Sequence, residues 1–552
     1  MNNKISIRSL FVDFSISVVV FILITAGHPW LTTPFTNLIE MRPWVHRLAL
    51  SILSTSVLIF WGITLFNPKI KTILSCSLIV KNISAFFETF LAWKAFLIFI
   101  FYTSFMFVIA KTRHDVFHSG FDMAIFSQAI WNTVHGNFLY SSIKGGICLL
   151  GDHVSPILAL LAPLYAIWPN PSSLLLAQSI ALGACLFPIA YLAKHEELDS
   201  KLIIALIISY ALYLPTRSAG RFDFHPELLA DPLLIFAFLF LKQKKLLFSS
   251  LCLCIALTAK ETLCAPIAMF SLYACFFERQ WRFGLMWIIF SVGYFFFAIN
   301  WILPRYSLDP YFYLRGNYAA GGSGFNLYHL ILQALSFKNL IYLIKLFLPL
   351  GLLPFFAPAQ LLLTLPILAQ NLLARNENTT SIFFHYTASL TPYIFISYIY
   401  GLKSITKWVS NKSVQIFIIM APAILMMGVS DYYIYQTYSR KANLHTQEIH
   451  STIKNIPSIF SVRTHEFFAP HLSNRKKLYI YENNHPKEGG SIDAMNADLI
   501  ILDKVWLGEN ALDKFNLILK SNYTLAFEKN GLLIFQNNSS SPSITSLNLW
   551  NQ

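Results

Sequence analysis

The chain has 552 residues, is 55% hydrophobic and only 12% charged, and carries a formal net charge of +14. With a mean hydropathy of +0.55, a soluble multidomain protein is excluded, because apolar runs of about 17–25 residues, the length that crosses a hydrocarbon core, recur along most of it. The positive balance does not point to nucleic acid: Lys and Arg are scattered among short loops, as membrane topology alone would place them, with no dense basic arm and no zinc-type spacing.

In chain order, residues 10–26 follow Lys4 and Arg8 and read as an uncleaved signal anchor rather than a signal peptide, given the many later spans. About thirteen spans are expected at the usual length threshold. They fall near residues 10–27, 46–66, 94–111, 171–193, 201–215, 227–241, 246–259, 262–278, 283–303, 338–356, 358–373, 382–402 and 413–434. The segment 154–168 carries Pro156 and Pro163 and is too short for a full span, which suits an interfacial or re-entrant helix. With that segment not crossing, Lys4, Arg8, Lys69, Lys71, Lys194, Lys201, Lys242, Arg279, Lys403 and Lys412 gather on one side, so the N-terminus is expected in the cytoplasm and the tail outside. The seven cysteines suggest no disulfide framework.

Beyond residue 435 hydropathy falls. Lys477 to Tyr481 and Asp498 to Asp503 read as strands, Thr524 to Gln536 as a hairpin about Asn530-Gly531, and segments near 441–453 and 509–520 as helices. The expected class is therefore an all-α polytopic membrane protein with a small C-terminal α/β extracytoplasmic domain. The expected divisions are 1–93, an N-terminal transmembrane pair and linker; 94–435, a transmembrane core with an external loop at 111–153; and 436–552, a soluble tail. A structural or docking role is expected for that tail.

Ionisable groups kept at a membrane surface are functional candidates. Five polar clusters share one expected face: 111–153, 217–227, Lys260-Glu261, the loop 304–337, and Arg375 through His385-Tyr386. The segment from Phe121 to Gly136 reads as an amphipathic helix with apolar residues at 121, 125, 126, 129 and 130. Asp122 at its mouth is either a helix cap or a carboxylate base at the entrance of a cavity, with Asp115 and Asp152 as competitors. Arg217, Arg221 and Lys260 suit phosphate, although arginines also anchor at lipid headgroups, and Lys260 could simply neutralise Glu261. His114, His118, His153 and His225 lie among carboxylates without metal-ligand spacing, so local hydrogen bonding is expected and no metal or other cofactor.

These motifs resemble two groups of proteins. Asp122, then His135-Gly136-Asn137-Phe138-Leu139, then Asp152-His153-Val154-Ser155-Pro156 are similar to the C-type (GT-C) membrane glycosyltransferases that take sugars from polyprenyl-phosphate carriers; Met123 stands where those often have a second acid. The chain more closely resembles the bacterial membrane family called domain of unknown function 2079. That likeness lies in Gly120-Phe121-Asp122, Phe126-Ser127-Gln128, Trp131, Gly151-Asp152-His153, Gly220-Arg221-Phe222-Asp223-Phe224-His225-Pro226-Glu227, Lys260-Glu261 and His385-Tyr386, from about residue 94 onward. The resemblance implies a GT-C-like core in the bacterial inner membrane, part of the cell-envelope machinery. It further implies inverting transfer of a sugar from a polyprenyl-phosphate-linked donor to an external acceptor, whether glycan, lipid or protein. The expected catalytic set is Asp122, Asp115, Asp152 and His153. The expected substrate- and phosphate-binding set is Arg217, Arg221, Asp223, His225, Glu227, Lys260, Arg305 and Tyr386. The alternative is a non-enzymatic transporter or flippase of lipid-linked sugars, which calls for polar groups spread through mid-membrane helices.

Overall fold

The structure is a computed structural model that describes residues 90–307, 332–424, 444–480, 497–504, 522–540 and 544. The expected spans 10–27 and 46–66, and the expected helix 509–520, lie outside the described residues, as does most of the loop 304–337.

The described chain is mostly helical, with one small sheet near its C-terminal end. Helix α1 (Phe90–Asp115) is followed by α2 (Phe121–Val134). A short antiparallel pair, β1 (Tyr140–Ser141) with β2 (Ile147–Cys148), comes next. Helices α3 (Ser172–Ala184) and α4 (Leu186–His195) run on as one apolar helix of 24 residues, Ser172–His195. They part at Cys185 because Pro188 has no N–H to give the preceding turn. Then come α5 (Ser200–Leu212), α6 (Leu214–Arg221), α7 (Asp231–Lys242), α8 (Leu246–Leu257), α9 (Cys264–Phe276) and α10 (Trp281–Phe297). A π-helical turn at Ala298–Ile302 precedes Pro304, which removes another backbone donor. α11 (Phe337–Phe347), α12 (Leu365–Leu373), α13 (Leu390–Thr406) and a short apolar helix over Lys412–Ile424 follow. Gly183 lets α1 and α3 touch, since a Cβ there would lie 2.2 Å from Thr103 Oγ1.

Among the described residues, three helices are long and apolar enough to cross a membrane: Trp93–Asp115, Ser172–His195 and Trp281–Tyr306. A fourth is the pair α5 and α6, if its 46° bend is one broken span. These coincide with four expected spans. The expected count of thirteen is not confirmed among the described residues, since 10–27, 46–66 and the end of 413–434 lie outside them and several others are short or broken. The expected span 338–356 is cut after Phe347 by Pro349, Pro354 and a left-handed pair at Gly351 (φ 59) and Leu352 (φ 58). The expected spans 246–259, 262–278 and 358–373 are short apolar helices, and the helical start of 382–402 is delayed to Leu390. The segment Pro156–Ile167 is a short apolar helix.

The tail builds a five-stranded sheet in the order β4-β3-β5-β7-β6, from β3 (Val462–Thr464), β4 (Leu478–Ile480), β5 (Leu499–Asp503), β6 (Tyr523–Lys529) and β7 (Leu532–Asn537). β3 runs parallel to both β4 and β5, and β7 lies antiparallel to β5 and β6. The β6–β7 turn uses Asn530 (φ 50) and Gly531 (φ 89), the two positive φ values that a tight hairpin demands. Helix α14 (Leu444–Lys454) precedes the sheet.

The tail packs against α2. One hydrophobic cluster joins Ala124, Ile125, Ala129 and Ile130 of α2 to Ile449, Phe468, Leu472, Leu478 and Leu499. Gln128 of α2 donates to the carbonyls of Arg475 and Lys476, and Ser142 Oγ bonds both backbone groups of Leu478. So α2 is not an interfacial helix with one wet face; Ser127, Gln128 and Asn132 are buried along with its apolar residues.

Three imidazoles close the same interface. His114 and His471 stack with centroids 4.1 Å apart, and His450 meets His471 edge-on at 4.6 Å. His471 Nε2 donates to the His114 carbonyl and His450 Nε2 to that of Asp115, beside Lys111 and Arg113. Burial first, then the neighbouring His114 and His450, pushes His471 well below the ordinary imidazole range; burial also lowers His450 against the pull of Asp115. A depressed histidine favours docking above its undocked pKa of about 6.5, and that contribution is lost as pH falls. Hydrogen exchange in α2 and in residues 469–472, corrected for intrinsic rates, is expected to rise from pH 7.5 to pH 5; unchanged protection would contradict this.

Candidate functional site

Four separated segments meet beyond the end of α6. Gly120 caps α2, its N–H donating to Asp223 Oδ2 at 2.9 Å, and Arg113 Nη1 holds Asp223 Oδ1 at 2.6 Å. Both carboxylate oxygens of Asp223 are thereby engaged, tying the end of α1 and the start of α2 to the connection after α6. Asp122 makes no capping bond, since the cap is Gly120. Its charge sits in the first helical turn, where the macrodipole favours it. Buried Gln178 of α3 secures the other wall: its Nε2 donates to the carbonyls of Ala219, Gly220 and Phe222, and its Oε1 accepts from His225 N–H.

His225 Nδ1 lies 2.9 Å from the Asp223 carbonyl. A carbonyl can only accept, so Nδ1 carries the proton and the neutral ring turns its Nε2 lone pair toward Asp122 Oδ2, 3.5 Å away. Two acceptors then face each other, and either a proton or a cation must lie between them. His385 stacks on His225 with centroids 3.5 Å apart and planes within 14°. Its Nδ1 is buried with no hydrogen-bond partner among the described residues.

Burial would raise the Asp122 carboxyl, but the bond and charge of His225, with His385 and Lys144 behind them, hold it at about 2. Burial would lower His225, yet Asp122 keeps it above the ordinary imidazole range. Burial and the charge of His225 drive His385 well down. The stacked pair therefore shares at most one positive charge.

Ligand atoms of Asp122, His225 and His385 all lie within 4.8 Å of one another, a donor set fit for a divalent cation. From the sequence no metal is expected. The three ligands come from α2, the 222–229 connection and the turn before α13, so linear spacing could not reveal them. A proton on His225 Nε2 and a cation compete for this place, so cation affinity measured by calorimetry should fall about tenfold per pH unit below the His225 pKa. A flat profile would remove the site as described.

Next to this trio, Lys260 Nζ meets Glu227 Oε1 at 2.5 Å, while Glu227 Oε2 is buried with no hydrogen-bond partner among the described residues. Burial opposes both charges, but each partner holds the other ionised: Glu227 is lowered and Lys260 raised. Glu261, the alternative charge partner for Lys260, bonds His153 Nδ1 at 2.9 Å and the Val154 N–H, while its charge still acts on Lys260. Tyr386 follows His385 with rings 4.2 Å apart.

The remaining expected residues are placed as follows. Asp115 pairs with Lys111 at 2.5 Å at the end of α1 and faces the tail. Asp152 pairs with Lys144 at 3.1 Å. Arg217 is buried in α6, which is no place for a lipid-headgroup anchor, Arg221 ends that helix half-buried, and Arg305 is exposed beyond α10. Gly151, beside Asp152, packs on the Tyr306–Ser307 backbone, with a would-be Cβ 2.3 Å from Tyr306 C. Asp223, expected to bind substrate, has one oxygen on Arg113 and the other on the Gly120 N–H. His385 and Gln178 stand outside the expected site set; His385 had a sequence signal, its place in the polar cluster before Tyr386, and Arg113 lies in the expected polar cluster 111–153.

Fold and site together define a helical membrane protein with a polar site built where its segments converge. The match of residues 113–534 to the family model "Predicted membrane protein (DUF2079)" spans most of the chain, and the protein belongs to that family. No curated protein matches it. Among solved structures it is similar to ArnT from Cupriavidus metallidurans bound to undecaprenyl phosphate, at 10% identity over 80% of this chain and 98% of that one, with a TM-score of 0.49. The apo state of that protein matches at 8% identity over 81% and 98%, also with a TM-score of 0.49. The Archaeoglobus fulgidus oligosaccharyltransferase in complex with Zn and sulfate matches at 12% identity over 76% and 69%, with a TM-score of 0.36.

Proposed function

We propose that the protein is an inverting glycosyltransferase that moves a sugar from a polyprenyl-phosphate carrier to an acceptor hydroxyl on the outer face of the membrane. The observation that carries this reading is the convergence of one ionised carboxylate, Asp122, with His225, His385 and the ammonium of Lys260 from segments up to 263 residues apart in the chain. Such transfer needs a base for the acceptor proton and cations for the departing phosphate.

In this reading Asp122, 37% exposed on its side chain, receives the acceptor proton, and His225 behind it balances the carboxylate charge. The new glycosidic bond forms as the sugar–phosphate bond breaks, and the electron pair leaves on phosphate. Lys260 stays cationic and accompanies that phosphate, with Arg221 nearby on the chain as a second donor. Asp122, His225 and His385 would hold a divalent cation when one is bound, and it would supply further charge neutralisation to the leaving group. His153 and Asp152 line the approach as polar residues held by Glu261 and Lys144.

The test is transfer by the full-length protein in liposomes containing polyprenyl-phosphate-linked sugars. Asp122→Asn should lose turnover and keep its expression level. Turnover equal to wild type would remove the base assignment. The transporter alternative would leave the Asp122 carboxylate dispensable for moving an intact lipid-linked sugar.

A further inference from the structure

We propose that Asp231, buried at the start of α7, is a positioning residue that sets His385 against His225; this rests on reading Asp122, His225 and His385 as the working site. Nothing among the described residues hydrogen-bonds the His385 Nδ1. The ring is therefore placed by its stacking and by the path of its backbone. That path is a single 3-10 turn, His385–Thr387, leading to Ser389 in the left-handed region at φ 61. A serine there is strained, and the surroundings must hold it.

Asp231 Oδ1 does so by accepting the Ser389 N–H at 2.8 Å, across 158 residues of sequence. Two weaker ties join it: Asn371 Nδ2 donates to the Tyr386 carbonyl at 2.9 Å, and Thr387 Oγ1 to the Pro215 carbonyl at 3.4 Å. Asp231 is 1% exposed, and its hydrogen bond among the described residues goes to Ser389 rather than to Asp122, His225 or His385, so it acts on His385 through the turn. Deleting the acceptor leaves a buried N–H without its partner and frees a strained residue three positions past the 385–386 pair. His385 then loses its register on His225.

The test is carbethoxylation of individual histidines by diethyl pyrocarbonate at pH 7, read by peptide mass spectrometry on the full-length protein in detergent. Asp231→Leu should raise the His385 rate about tenfold, the scale of a lost buried hydrogen bond, while His471 in the tail interface stays at its wild-type rate. Asp231→Asn keeps a side-chain oxygen for Ser389 and should restore the wild-type His385 rate. If the leucine variant does not fold, all histidines react together; Asp231→Ser, small and polar but too short to reach, then carries the comparison. An unchanged His385 rate in both Asp231→Leu and Asp231→Ser overturns the proposal, as does a rise in Asp231→Asn equal to that in Asp231→Leu. Zinc titration of the same proteins separates the two readings. Wild type that binds no zinc defeats the cation site and leaves the positional result standing. Wild type and Asp231→Leu binding zinc equally tightly defeats the positional claim.

Discussion

Asp122→Asn should reduce transfer by about a hundred- to ten-thousand-fold, the span that loss of a general base produces. The amide is close in size to the carboxylate, and Gly120 rather than Asp122 makes the cap contact with Asp223. The fold therefore loses only a favourable charge at a helix start, about 0.3–1 kcal/mol. Removing the charge also releases His225, whose raised pKa depends on the Asp122 bond. The pH profile should respond as well: with the carboxyl at about 2, Asp122 stays ionised throughout the working range, so an alkaline limb, where His225 loses the proton that balances Asp122, reports His225 and should shift down in Asp122→Asn. Loss of turnover with an unshifted limb would place the effect elsewhere.

Truncation after residue 435 should abolish activity and loosen α2. Ala124, Ile125, Ala129 and Ile130 share their core with Phe468, Leu472 and Leu478, and Gln128 finds its carbonyl partners in the tail. Without the tail, the face of α2 that carries these residues turns to water, and Asp122 sits at the end of that helix. A gentler version is Phe468→Ala, a fully buried ring, which should cost about 3–5 kcal/mol. Hydrogen exchange should show the loss in α2 as well as in the sheet. If α2 keeps its protection in the truncated chain, the shared core contributes nothing to the site.

What the sequence shows of this molecule follows from local physics. Runs such as 171–193 and 283–303 are legible because every backbone group in a span must be paired within its own helix, which makes the apolar run and the helix coincide. The Asn530-Gly531 hairpin is legible because only such residues take its turn. The break at Gly351-Leu352 is less so: Leu352 adopts a positive φ that its residue type disfavours, and contacts with the rest of the bundle decide the matter. Asp122 stands out by its place at the mouth of an apolar-striped helix. That stripe does not say what covers it, so the docking of the tail on α2 is invisible. Asp223 reads like a binding acid until Arg113 and Gly120, more than 100 residues away, are seen to occupy it. His385 carries no spacing signal toward Asp122 or His225, since chain separations of 263 and 160 residues are set by topology, not by helical period.

The most direct measurement is native mass spectrometry of the full-length protein with a polyprenyl phosphate, set beside Lys260→Met. Wild type should retain the carrier phosphate in preference to bulk phospholipid, and Lys260→Met should lose that preference while Lys338→Met, on an exposed ion pair, keeps it. Equal retention of carrier and phospholipid by wild type, or undiminished carrier binding in Lys260→Met, would contradict a phosphate site built around Lys260 beside Asp122, His225 and His385.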